Sequence, residues 1–444
     1  MKRERIAMNT IKFDLTTKEG PFKILNATNG GPWHKRYAND QWRTNFEEYK
    51  AARIPYSRNH DSGDFDVFGG PYSHDITRIF PNFDADVNDP ESYDFACTDE
   101  SILTTLDAGT ETFFRLGQSI EHQIKKHGTL PPPDFHKWAQ ICEHIIRHYN
   151  YGWADGFNLN IKYWEIWNEP DLDPDDSTNK RTWGGTKAQF FDLYEIASKH
   201  LKGCFPELKI GGPSLAWNEE WAADFLAEMK KRNVPLDFFS WHIYTTTPIE
   251  ITDKAVRIKN MLVENGYGDA EKILNEWNYV KGWTEEFKYT LQTIHGIKGA
   301  AFVMACMSAV QKCDALDMLM YYNTIPSGFC GAFDFYTYEP LKGYYPLMWY
   351  GKFYDMEAEV KCETEIENIY TICGCDKDGK VLCTLTYYTD EMNMPAKEIC
   401  VDFGKNSMYE IYLLDEEHNA ELVNTTSNLK FTINTNTCVM IKEV

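Results

Sequence analysis

Two short segments end on acidic side chains that could do chemistry together. One is Trp164-Glu165-Ile166-Trp167-Asn168-Glu169-Pro170-Asp171, and the other is Ile273-Leu274-Asn275-Glu276-Trp277-Asn278. In each, an apolar run reads as a strand. Pro170 cannot donate to a strand ladder, so it ends the first strand and leaves Glu169 at the exit. Glu276 closes the second strand in the same way. Two carboxylates at the tops of different barrel strands are what glycosyl transfer needs: one attacks the anomeric carbon while the other protonates the leaving oxygen. Retention places the two groups about 5 Å apart and inversion places them farther apart, so distance along the chain leaves both open.

Other residue types around these strand ends suit a sugar site. Asn168 offers an amide to a sugar hydroxyl. In Phe239-Ser240-Trp241-His242-Ile243-Tyr244, the two-residue period of a strand puts His242 and Tyr244 on one face. From there the Tyr244 hydroxyl could donate to the nucleophilic carboxylate and keep it ionised. Trp33, Trp183, Trp217 and Trp277 lie near strand tops and are candidate platforms for the apolar face of a pyranose.

The elements that would position these groups share one grammar from about residue 22 to 325. A short β-branched or aromatic run gives way to a longer helical pattern, the mark of parallel βα units. The strands fall at 22–28, 54–60, 111–117, 161–168, 208–213, 236–244, 272–276 and 316–323. Eight such units predict an α/β chain with a closed (β/α)8 TIM barrel over residues 21–353. Thr186 opens a helix with Phe190, Tyr194, Ala197 and Leu201 on one face, and the 218–231 helix aligns Trp221, Phe225 and Met229. Between Asp61 and Cys97 the period is lost, and a long loop after a barrel strand is usually functional. It could wall off one end of a cleft and favour exo attack. After residue 353 the pattern changes to alternating strands with Asp, Asn and Gly turns, which predicts an accessory antiparallel β-sandwich over 354–444, joined by an N-terminal strand at 9–17.

The formal charge of −22 over 444 residues repels phosphate backbones and anionic lipid, so no nucleic acid and no membrane partner is expected. No run approaches the roughly 18 apolar residues of a membrane span. The basic N-terminus lacks the apolar stretch of a secretory leader, and twelve cysteines without an export signal read as reduced thiols, which together suggest a cytoplasmic protein. Cys373 and Cys375 lack the second pair of a zinc signature, and His144 and His148 lack the intervening Glu of a metalloprotease helix. No metal and no cofactor is expected.

With these residues in place, the chain resembles the retaining (β/α)8 glycosidases of the clan that includes glycoside hydrolase family 39, the β-xylosidase and α-L-iduronidase family. The likeness is carried by the strand-four Asn168-Glu169-Pro170, the strand-six His242-x-Tyr244 and the strand-seven Glu276, and Asn29-Gly30-Gly31-Pro32 near the first strand also matches. The resemblance implies Glu169 as acid/base, Glu276 as nucleophile, Asn168 as a ligand of the 2-hydroxyl, and His242 and Tyr244 as supporting residues. Arg58, His60 and Gln118 are carried over from strands two and three, which depart from the family pattern. Trp33 and Trp277 complete the set of expected substrate contacts. The implied activity is exo-hydrolysis of β-xylosides, with an arabinoside, galactoside, glucoside or uronide as other sugars, and the expected partner is an oligosaccharide or small glycoside. A sugar-binding barrel without turnover is the competing class.

Overall fold

The structure, a computed structural model, describes residues 9–32, 44–61 and 72–444. After an N-terminal strand β1 (Asn9–Gly20), eight parallel strands close a barrel in chain order: β2 (Ile24–Asn29), β3 (Tyr56–Arg58), β4 (Glu111–Leu116), β5 (Tyr163–Ile166), β6 (Lys209–Leu215), β7 (Phe238–Thr245), β8 (Glu271–Tyr279) and β9 (Met318–Tyr321). The barrel shuts where β9 pairs with β2. Most of these strands fall where an apolar run in the sequence marks one, because a strand covered on both faces needs an almost continuous apolar stretch, whereas β3 buries the polar Ser57 and Arg58.

Helices ring the barrel, and their ends are fixed by local chemistry. The helix Lys187–Cys204 starts with a capping box in which Thr186 and Gln189 satisfy each other's backbone N–H groups. The helix Glu219–Lys231 starts where Asn218 accepts from the Trp221 N–H. Both bury the residues their periodicity marks, Phe190, Tyr194, Ala197 and Leu201 in the first and Trp221, Phe225 and Met229 in the second.

The remaining strands are β10 (Ala358–Cys362), β11 (Ile369–Cys375), β12 (Val381–Tyr387), β13 (Lys397–Asp402), β14 (Tyr409–Leu414), β15 (Asn419–Thr426), β16 (Lys430–Ile433) and β17 (Thr437–Glu443). With β1 they form one nine-stranded sheet in the order β15-β14-β17-β12-β11-β10-β1-β13-β16. The sheet curls over a core of its own that includes Ile11, Val360, Leu385, Val401, Ile433 and Ile441, with the Phe403 ring 5.4 Å from both Phe13 and Tyr409. The sandwich is therefore one folded sheet. Its pairing is antiparallel except between β1 and β13, which run parallel. A parallel pair needs a long crossover, and the whole barrel lies between these two strands in the chain.

The helix Ile297–Gln311 packs between barrel strands β2 and β8 and sheet strands β11, β12 and β17, so it is apolar nearly all round. No single helix among the described residues is long and apolar enough to cross a membrane.

Candidate active site

The barrel interior is layered. Ala27, Phe113, Tyr163, Phe238, Ile273, Met318 and Met320 form a dry plug. Above it lies a buried ion pair, Arg58 Nε to Glu165 Oε2 at 2.7 Å, with both side chains fully buried. Such a pair is tolerated only if its remaining hydrogen-bonding capacity is used. Glu165 Oε1 accepts from Ser240 Oγ and Asn275 Nδ2, each at 2.6 Å. The rest of the guanidinium fans upward to Asn29 Oδ1 (3.1 Å), Asn168 Oδ1 (2.7 Å), Ser214 Oγ (2.9 Å) and Glu276 Oε1 (2.9 Å). Burial works against its charge, but Glu165 and Glu276 outweigh burial and hold Arg58 above its ordinary range.

Glu169 reaches the mouth through strained backbone. Trp167 (φ 72°) and Glu169 (φ 48°) are both left-handed without being glycine, as is Ser214 (φ 59°) opposite them. The surroundings hold this kink: Trp167 N–H donates to Leu116 O, Glu169 N–H to Ser214 O, and Thr182 Oγ1 to Glu169 O at 2.6 Å.

Glu276 is aimed by a bulge. Register runs from Trp241 opposite Leu274 to His242 opposite Glu276, which leaves Asn275 as the extra residue of β8. An extra residue shifts the alternation by one place and re-aims the side chains beyond it. Asn275 and Glu276 both serve the interior, and Trp277 turns outward against Phe302 and Tyr321.

Glu276 is surrounded by donors. Arg58 Nη1 lies at 2.9 Å and His60 Nε2 at 3.2 Å from Oε1, while Tyr244 Oη donates to Oε2 at 2.9 Å and His242 Nδ1 lies 3.4 Å from it. Burial and the negative charge of Glu276 push the Tyr244 hydroxyl well above its usual range, so it stays a donor. Burial pushes His242 down to about 3, so its ring is neutral. Ser214 Oγ accepts from Arg58 and from Asn275, and its proton is assigned to the nearer of two acceptors, His242 Nε2 at 2.7 Å against Asn168 Oδ1 at 3.2 Å. On this assignment His242 Nδ1–H donates to Glu169 Oε1 at 2.7 Å and leaves Oε2 to carry a proton outward. Burial and then the Asp171 charge raise Glu169 to about 7. Asp171 is fixed nearby by the N–H groups of Ala216, Trp217 and Asn218.

The structure thus brings Glu169, Glu276, Asn168, His242, Tyr244 and His60 into one cleft. One oxygen of each glutamate and a ring nitrogen of His242 lie within 4.8 Å of one another. Asn168 gives its oxygen to Arg58, and its amide N–H groups have no hydrogen-bond partner among the described residues. Three expectations need correction or fall elsewhere. Trp277 is no sugar platform: the Asn275 bulge turns it outward, and it is fully buried. Gln118 lies beyond the end of β4, where its carbonyl accepts from Thr77 at 2.9 Å. Trp33 lies outside the described residues. Of the other ring candidates, Trp183 is core, wedged between Trp167 and Phe190, while Trp217 is 63% exposed beside the Asp171 loop. The residues that sequence reasoning left out of the site are Glu165, Ser214, Asn29, Asn275, Asp61 and Asp171. Glu165 carried a signal, since a charge in mid-strand among apolar residues is rare without a partner.

Two trios among the described residues have metal-compatible spacing. In Glu169–His242–Glu276 the His242 Nδ1 is already bonded to Glu169, and in Glu143–His200–Cys204 the Arg147 Nε donates to Glu143 at 2.7 Å.

The fold is shared with solved glycosidases. A glucosidase from Croceicoccus marinus matches with a TM-score of 0.78 at 20% identity, covering 98% of this chain and 99% of that one. A GH39 β-xylosidase from Caulobacter crescentus matches with a TM-score of 0.69 at 16% identity, over 98% and 99%. The sequence narrows the class further. The model of glycosyl hydrolases family 39 matches residues 69–296, just over half the chain, and the chain belongs to that family. A β-xylosidase of Geobacillus stearothermophilus is 33% identical over 127 residues, 27% of this chain and 23% of that protein. A β-xylosidase of Caldicellulosiruptor saccharolyticus is 29% identical over 191 residues, 40% of this chain and 36% of that protein. These matches span well under half the length of either relative.

Proposed function

We propose that the chain is a retaining O-glycosidase acting on β-xylosides or closely related glycosides, with Glu276 as nucleophile and Glu169 as acid/base. The observation that carries this reading is the approach of the two carboxylates within 4.8 Å in unlike surroundings. That separation suits direct attack on the sugar, whereas inversion needs room for a water between the groups, at about 6.5–9.5 Å. The β-xylosidases among the relatives support the sugar class.

In the first step Glu276 attacks the anomeric carbon while Glu169 gives its proton to the leaving oxygen. The His242 N–H holds Glu169 by its other oxygen, and the donors around Glu276 fix its attacking lone pair. Once Glu276 is esterified, one negative charge leaves the site and Glu169 deprotonates more readily. It can then take a proton from water, which attacks the glycosyl ester. The Asn168 amide is assigned to the 2-hydroxyl in this reading. His60 Nε2 lies 3.2 Å from Glu276 and 3.0 Å from Asp61, and exo action is part of this reading.

The test is a panel of aryl β-xyloside, arabinoside, galactoside, glucoside and uronide with the first product anomer tracked by NMR. The xyloside should be cleaved fastest with the β-anomer released first. Release of the α-anomer from it would overturn double displacement.

A further inference from the structure

The accessory sheet reaches the mouth of the barrel through the turn that leaves β12. Tyr388 Oη donates to Thr246 O at 2.5 Å, just past the end of β7. Asp390 accepts from Tyr279 Oη (2.7 Å) at the last residue of β8 and bonds Lys298 Nζ (2.6 Å) and Lys281 Nζ (3.0 Å). One turn of the second domain is therefore keyed to the exits of the two strands that carry His242, Tyr244 and Glu276.

Two residues beyond Lys281 stands Trp283. It is 56% exposed, yet its ring is held: edge-on to Tyr244 at 5.1 Å, stacked on Phe287 at 5.7 Å and tilted on Phe329 at 5.8 Å. Tyr244 in turn donates to Glu276, so Trp283 lies one ring away from the reacting carboxylate. A large apolar ring fixed from several sides, with a free surface beside a buried polar cluster, is a pre-organised platform for a flat, apolar-faced ligand such as a pyranose or an aryl group.

We propose that Trp283 is a stacking wall of the sugar cleft and that Asp390 is the positioning residue that holds it there, so that the accessory sheet sets substrate affinity. This rests on the glycosidase reading for the identity of the substrate. Lys281 is the strap: its ammonium ties the loop bearing Trp283 to a carboxylate that belongs to the other domain.

The experiment measures KM and kcat on 4-nitrophenyl β-D-xyloside for Asp390→Ala, Lys281→Met, Trp283→Ala and the Asp390→Ala/Trp283→Ala double variant, with Glu276→Ala as control. It adds a tryptophan-fluorescence titration of wild type and Trp283→Phe with methyl β-D-xyloside. Each single variant should raise KM about five- to tenfold with kcat held within about twofold, as loss of one aromatic contact implies. The double variant should be no worse than Trp283→Ala alone, because Asp390 acts through that ring. The titration signal should vanish in Trp283→Phe. A lowered melting temperature in Asp390→Ala with KM unchanged would overturn the proposal, as would KM losses that multiply in the double variant. If Asp390→Ala does not fold, Lys281→Met decides in its place. Activity remaining in Glu276→Ala would count against the glycosidase reading instead, and the fluorescence titration would still decide whether Trp283 meets the sugar.

Discussion

The two sides of the cleft treat chemically identical side chains in opposite ways. On the β8 side, Glu276 faces a buried guanidinium at 2.9 Å, a tyrosine hydroxyl at 2.9 Å and His60 at 3.2 Å. On the β5 side, Glu169 faces burial, the Asp171 charge and one N–H from a neutral imidazole. The first environment is built of hydrogen-bond donors, and the second raises its carboxyl to about 7. Two glutamates acquire two roles from what stands behind them, the pattern general to acid–nucleophile pairs.

The strongest way to break this contrast is Glu276→Ala. Turnover of an aryl β-xyloside should fall by more than about four orders of magnitude, the scale of losing a nucleophile. Substantial remaining turnover would move the nucleophile elsewhere. Next comes Glu169→Ala, which should lose about 10²–10⁴-fold on a substrate with a poor leaving group and far less on an activated dinitrophenyl glycoside. Equal losses on both substrates would deny it the proton-donor role.

The smallest effect concerns stability. The rise of Glu169 from 4.5 to about 7 means that ionising it in the fold costs about 3 kcal/mol more than in the unfolded chain. Glu169→Gln should therefore be the more stable protein at pH 8 by up to that amount, since both folded and unfolded wild type are ionised there. At pH 4 both are protonated and the difference should vanish. Between these limits wild-type stability falls as pH climbs from about 4.5 toward 7. Urea midpoints at the two pH values decide it, and an equal difference at both would trace the effect to packing rather than charge.

Much of this was legible in the sequence, for physical reasons that also mark where legibility stopped. The barrel strands stand out because strands buried on both faces need unbroken apolar runs, and His242 and Tyr244 share the cleft because β7 keeps a strict two-residue alternation. On β8 the same rule fails at Asn275, and Trp277 goes with it. The Arg58–Glu165 pair joins residues 107 apart, so no local window contains it. Ser214 and Asn29 are small polar residues that take on meaning only when the closed barrel points them at one guanidinium, and Asn275 only when it meets the Glu165 carboxylate and Ser214.

The bulge on β8 makes the catalytic geometry depend on a count as well as on residue types. With Ile273 facing the barrel interior, an unbroken pleat over the same residues would send the Glu276 carboxylate into the gap between strand and helix, and only the extra residue turns it inward. The reactive centre is thus encoded in a break of the strand's alternation as much as in the letters themselves, a property that no single residue type announces.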